Sequence, residues 1–167
     1  MEILEIVDNN GNIIGTAPRN VAHGDNTLLH RVVHALVFDD TNKLLLQKRS
    51  MNKDVAAGLW DTSVGGHVDL GETTIEAICR EINEELGINC PNPEFLYSYI
   101  HSNDFESELV YTYKYINNEK IIFNREEIDD VCYWDINELM NVLDNGSFSD
   151  NFIHELRLYL KHHQVLY

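Results

Sequence analysis

The run from Thr73 to Gly87, TTIEAICREINEELG, constrains this chain more than any other stretch. Thr73-Thr74-Ile75-Glu76 fits a capping box, and Gly87 after Leu86 is a natural left-handed stop. The spacing therefore predicts a helix with Ile75, Ile78, Ile82 and Leu86 on one arc facing a core. At ~100° per residue, Glu81, Glu84 and Glu85 share a second arc beside the apolar one. Like charges three and four residues apart repel, so a cation among them is what makes such a cluster tolerable. Hard oxygen ligands without a cysteine point to Mg²⁺ or Mn²⁺. Ahead of the helix, Gly65, Gly66 and Gly71 permit tight turns and close backbone approach to a ligand.

Composition narrows the partners. The 167 residues carry 12 Lys+Arg against 28 Asp+Glu, a formal charge of −16, which argues against binding a nucleic acid polymer. A small anionic substrate would need a local basic patch or a metal. No apolar run approaches the ~18–20 residues of a membrane span, and the first residues lack the basic region of a signal peptide. Cys79, Cys90 and Cys132 are odd in number and form no CxxC pair, as expected of free thiols in a cytoplasmic protein. The length suits one domain over residues 1–167, with a β-hairpin extension over about 1–30. Oligomeric state is not legible.

The first 18 residues alternate around Asn9-Asn10-Gly11-Asn12, a hairpin pattern, and residues 19–30 read as irregular. Val32–Phe38 and Lys43–Lys48 read as a second hairpin, followed by a loop over Ser50–Leu59 and a short strand near Trp60–Val64. After the helix, strands are expected over Phe95–Ile100, Leu109–Ile116, Ile121–Phe123 and Val131–Trp134. Asp135 is placed to cap a helix through Leu143, and Ser149 or Asp150 one that runs to about His162. Strands around a central helix, with helices at the C-terminus, indicate an α+β domain.

Gly66, Glu72, Arg80-Glu81, Glu84-Glu85 and Gly87-Ile88 satisfy the pattern G-x5-E-x7-R-E-U-x-E-E-x-G-U at every position, U being a bulky aliphatic residue. In this the chain resembles the Nudix hydrolase superfamily. The resemblance implies an α/β/α sandwich around a mixed β-sheet, with the motif as a loop–helix–loop. It implies cleavage of a phosphoanhydride in a nucleoside diphosphate-type substrate, dependent on Mg²⁺ or Mn²⁺. It further implies Glu81, Glu84 and Glu85 as catalytic metal ligands, the Gly65 carbonyl as another, and Gly66, Glu72, Arg80 and Gly87 as structural positions. Clustered divalent ions neutralise a diphosphate, polarise phosphorus and activate water, so the chemistry agrees.

Outside the motif, His23, His30-Arg31, Gln47-Lys48-Arg49-Ser50, Lys53, Gly58-Leu59-Trp60, Gly66-His67 and Glu106-Ser107-Glu108 resemble the isopentenyl-diphosphate isomerase branch of the superfamily. That resemblance implies a metal held by His23, His30, His67, Glu106 and Glu108, and a diphosphate held by Arg49 and Lys53. It breaks where that branch has a catalytic cysteine, because this chain has Gly65. Glycine can neither donate nor accept a proton from a side chain. The branch's C-terminal tryptophan is matched here with Phe152. The sequence thus reads as an isomerase-like Nudix hydrolase. The alternatives are the isomerase itself and a non-catalytic nucleotide-binding module. Trp60, Tyr97, Tyr99 and Tyr113 could stack a base, although aromatic residues on strands usually serve a core.

Overall fold

The chain's first turn is made by Asp8, whose carboxylate accepts the backbone N–H groups of Asn10 (2.9 Å) and Asn12 (3.0 Å) while Gly11 takes φ +83°. This turn joins β1 (Ile3–Val7) to antiparallel β2 (Ile13–Pro18) in a computed structural model that describes residues 1–90 and 92–164. Residues 19–30, expected to be irregular, contain a one-turn helix, α1 (Arg19–Ala22), and the start of β3 (Leu29–Phe38). His30 is therefore a strand residue. β4 (Leu44–Arg49) follows, then β5 (Trp60–Asp61) and β6 (Val64–His67). The single strand expected near Trp60–Val64 is two, because β5 pairs with β4 whereas β6 pairs with β3. α2 (Thr74–Leu86), β7 (Glu94–Ser102), β8 (Ser107–Ile116), β9 (Ile128–Trp134), α3 (Ile136–Val142) and α4 (Asp150–Gln164) complete the order.

The sheet is mixed. β3 runs parallel to β8 and antiparallel to β1, β4 and β6, with β7 on β8 and β9 on β4. Side chains alternate across a strand, so β3 feeds two cores. Val33, Ala35 and Val37 pack with Ile78, Ile82 and Leu86 of α2. Leu36 and Phe38 pack with Leu139 of α3 and with Phe152, Leu156 and Tyr159 of α4. Each Val, Leu, Ile or Phe side chain among them contributes about 1.5–3 kcal/mol when fully buried. The result is the expected α/β/α sandwich.

The caps follow the sequence. Thr73 and Glu76 form the reciprocal box, and Gly87 adopts φ +65°. A Cβ on Gly87 would also lie 2.8 Å from the Ile122 carbonyl oxygen, so both backbone angle and space demand glycine. Asp135 accepts from the N–H groups of Asn137 and Glu138, and the Ser149 hydroxyl accepts from Phe152 N–H.

Two further expectations need correction. Ile75 is 47% exposed, since the first turn of α2 overhangs the sheet and Ala77 fills the inner position. Ile121–Phe123 is not a strand. This segment runs past the end of α2, where Ile122 N–H donates to the Leu86 carbonyl and Asn124 N–H to the Glu85 carbonyl. Those bonds satisfy carbonyls that a helix end leaves without intrahelical donors.

Candidate active site and metal centre

A cleft of about 1040 Å³ opens between the motif loop, the N-terminal hairpin and the start of α4. One wall is α2. Glu85 is 5% exposed, accepting from the Gln47 amide (3.1 Å) and from the Gly65 backbone N–H (3.2 Å). Burial, and then the neighbouring Glu81, push its pKa well above the carboxylate range. Burial likewise raises Glu81 to about 7, against the pull of Arg80. Two neighbouring carboxylates whose charged forms are disfavoured by burial and by each other are a site that a divalent ion can stabilise. Glu84 sits at the rim, more than half exposed, 3.4 Å from Arg80.

The loop is shaped around these groups. A Cβ on Gly66 would fall 2.2 Å from Glu81 Cδ, so the glycine is what lets Glu81 seat itself. Arg80 donates to both oxygens of Glu72 (2.9 Å each), to Glu81 (2.6 Å) and to the His67 carbonyl (3.0 Å). Glu72 in turn accepts the Asp69 N–H, and Glu5, paired with Arg31, accepts the Gly71 N–H at 3.0 Å. Glu72 and Arg80 thus tie the loop to α2.

At the other end of the cleft, His23, His30 and His67 come together, as do His30, Glu106 and Glu108. In each trio the donor atoms lie within 4.8 Å of one another, with His30 common to both. His23 Nε2 and His67 Nε2 are 3.1 Å apart. Two buried atoms, His30 Nε2 and Glu106 Oε2, have no hydrogen-bond partner among the described residues. Orphaned buried atoms of this kind are costly unless a ligand completes them, and the donor set fits a divalent cation. Burial, together with His67 and His23, lowers His30 to about 4, so its ring stays neutral, the ligating form. Burial also lowers His23 and His67. Glu2 holds the His67 Nδ1 at 2.9 Å, which orients the opposite nitrogen into the cluster. Burial, and then Glu106, raise Glu108 to about 7.

Arg49 and Lys53 line the same cleft. Arg49 donates to the Val55 carbonyl (3.0 Å) and lies 3.4 Å from Asp61, while Lys53 lies 3.6 Å from Glu127. Position 65 carries no side chain, and Phe152, matched with the isomerase branch's tryptophan, does not line the cleft. Phe152 is fully buried on the core side of α4, whereas Asn151, one residue earlier on the helix, lines the cleft. None of Trp60, Tyr97, Tyr99 and Tyr113 lines the cleft. Tyr97 and Tyr99 reach Glu155 and Asn151, Tyr113 is buried, and Trp60 packs edge-on against Trp134.

A model of the NUDIX domain matches residues 28–156. The chain belongs to the Nudix family. This Nudix protein is 35% identical over 150 residues to isopentenyl-diphosphate Delta-isomerase 2 of Photorhabdus laumondii, covering 87% of this chain and 84% of that one. It is 37% identical over 121 residues to Nudix hydrolase 3 of Arabidopsis thaliana, covering 71% of this chain but 15% of the plant protein. Matches to isomerases of two Streptomyces species and a Mycolicibacterium span 44–56% of those proteins. Among solved structures, a Deinococcus radiodurans protein superposes with TM-score 0.81 at 24% identity, covering 93% of this chain and 98% of that one, a likeness of fold. No helix among the described residues is long and apolar enough to cross a membrane.

Several site residues of this Nudix protein escaped sequence reasoning. Glu2 and Glu127 gave no signal, since either is an ordinary surface glutamate until the fold turns it inward. His34 did give one: it interrupts the apolar alternation of β3 on the face that packs against α4. Glu155 interrupts the apolar face of α4 in the same way, and no sequence rule joined the two.

Proposed function

We propose that this Nudix protein hydrolyses the phosphoanhydride of a nucleoside diphosphate-type substrate with Mg²⁺ or Mn²⁺. The observation that carries the reading is position 65. The three motif glutamates border the cleft, and the place of the isomerase thiol is backbone only. Glu81, Glu84 and Glu85 would hold the ions, with the Gly65 carbonyl a further ligand. Bound there, the metal supplies charge neutralisation and an acidified water. Arg49 and Lys53, which line the same cleft, would bind the diphosphate. His23, His30, His67, Glu106 and Glu108 would hold another ion. The free thiols and the small-molecule substrate fit a cytoplasmic enzyme that needs neither a membrane nor a nucleic acid polymer.

A second reading is isopentenyl-diphosphate Delta-isomerase. The names of most relatives favour it over the hydrolase, as does the gathering of the three histidines with Glu106 and Glu108. Against it stands the absent proton carrier at Gly65. One experiment separates the two. Wild-type protein with Mg²⁺ or Mn²⁺ is incubated with isopentenyl diphosphate, watching for the dimethylallyl isomer. In parallel, nucleoside diphosphates, sugar nucleotides, dinucleotides and coenzyme A are assayed for phosphoanhydride cleavage. Cleavage without isomer is the expected result, and formation of the dimethylallyl isomer would overturn it. Binding without turnover of any compound would make the protein a non-catalytic module.

A further inference from the structure

His34 and Gly65 are register partners on adjacent antiparallel strands, β3 and β6, so their Cβ directions share a face. A Cβ on Gly65 would lie 3.2 Å from His34 Cδ2 and 3.4 Å from His34 Nε2. The Nε2 edge of the ring thus borders the space that a side chain at position 65 would fill. His34 lines the cleft at this edge and is buried on its other sides. Behind the ring, Nδ1 lies 3.6 Å from Glu155 Oε1 and 3.5 Å from the Tyr99 hydroxyl.

Glu155 is fully buried. Its Oε1 accepts the Thr112 hydroxyl at 2.9 Å and its Oε2 the Tyr97 hydroxyl at 3.3 Å. Among the described residues, no lysine or arginine pairs with it, and His34 is the basic group within ion-pair distance. A buried carboxylate is expensive unless it is paired and hydrogen-bonded, and a fold that needed only packing here would be served by apolar residues of similar volume. What the pair adds is an imidazole locked in place, with a negative group behind it and an open nitrogen in front. That arrangement suits an anion arriving from the cleft.

We infer that His34 is a substrate contact, its Nε2 edge meeting a phosphate oxygen of the bound diphosphate in the gap left by Gly65. Glu155 is then a positioning residue that acts through the ring. The inference rests on the diphosphate reading above and names a chain group that touches the substrate on the position-65 side. It also explains why a cysteine introduced at 65 would compete with the imidazole for one space, beginning from a Cβ contact of 3.2 Å.

The test uses full-length protein labelled with ¹⁵N-histidine, with Mg²⁺ present and the slowly hydrolysed imidodiphosphate as probe. Imidazole ¹H–¹⁵N spectra, with His34 identified by its loss in His34→Gln, should show the His34 resonances moving as imidodiphosphate is added. Calorimetry should show at least ~10-fold weaker binding to His34→Ala, the size of one lost charge-assisted hydrogen bond. His34→Gln, which keeps a donor near the same place, should recover part of that affinity. Glu155→Gln should weaken binding in wild type but add little in the His34→Ala background. The wild-type titration requires no variant to fold, because through-bond correlations can also assign the ring. Cleavage of a panel substrate or binding of the probe, with His34 resonances unmoved and His34→Ala binding undiminished, would overturn this inference alone. Absence of both probe binding and cleavage would overturn it together with the hydrolase reading.

Discussion

Replacing Glu108 by Gln should stabilise the metal-free protein at pH 8 and weaken its response to metal. The half-buried Glu108 carboxyl is raised to about 7 by burial and by Glu106, against an ordinary value of 4.5. A carboxyl whose folded pKa lies above its unfolded value stabilises the fold below the unfolded pKa. That contribution is lost as pH rises through the folded pKa, and at pH 8 the group is ionised in both states. A carboxyl raised from 4.5 to about 7 corresponds to an upper bound of about 3 kcal/mol. Partial solvent access reduces this to about 1–2 kcal/mol. Glutamine carries no charge, and its carbonyl can still accept the Asn151 amide that donates to Glu108 at 3.1 Å. For a domain of this size, that predicts a melting temperature higher by about 3–8 °C in chelator at pH 8. The gap should narrow to under about 1 kcal/mol at pH 5.5, where wild-type Glu108 is largely protonated when folded. Adding Mn²⁺ should reverse the order, because wild type gains a ligand that the variant lacks. Thermal unfolding of both proteins at the two pH values, with chelator and with Mn²⁺, measures all of this. A variant no more stable than wild type in chelator at pH 8 would refute the electrostatic argument. Equal stabilisation of both by Mn²⁺ would remove Glu108 from the metal site.

Chelation should abolish turnover, and Glu85→Gln should lower kcat by at least ~10²-fold while leaving a folded protein, as checked by steady-state kinetics and circular dichroism. Gly66→Ala should displace Glu81, given the 2.2 Å approach to Cδ, and show a larger loss in Mg²⁺ or Mn²⁺ affinity by calorimetry than in melting temperature. Arg49→Ala should lower kcat/KM by about 2–3 kcal/mol. A change in melting temperature alone would mean that Arg49 serves only its contacts with Val55 and Asp61. His30, held near 4 by burial and by its neighbouring histidines, contributes stability above pH 6.5 that is lost as pH falls through 4. His30→Gln should accordingly flatten the acid limb of a metal-free unfolding-against-pH curve.

The motif helix could be read from the sequence because its signals are local. A capping box, a left-handed stop and a 3.6-residue period depend on neighbours within one or two turns. The acidic arc was equally legible, as were the loop glycines before it and the alternation that marks most strands. Resemblance then extended the site to His23, His30, His67, Glu106 and Glu108, which the fold brings into one cluster. Elsewhere the tertiary structure made the decision. Helical phase alone could not say that Ile75 overhangs the sheet, or that the start of α4 turns Asn151 into the cleft and Phe152 into the core. Ile121–Phe123 has the composition of a strand, but the backbone groups at the end of α2 claim its donors first. The pairing of His34 with Glu155 spans 121 positions of chain (155 − 34) and exists because β3 and α4 share one interface. Local sequence sets the shape of each element, whereas contacts between distant elements depend on which faces are buried together, and that is a property of the assembled sandwich.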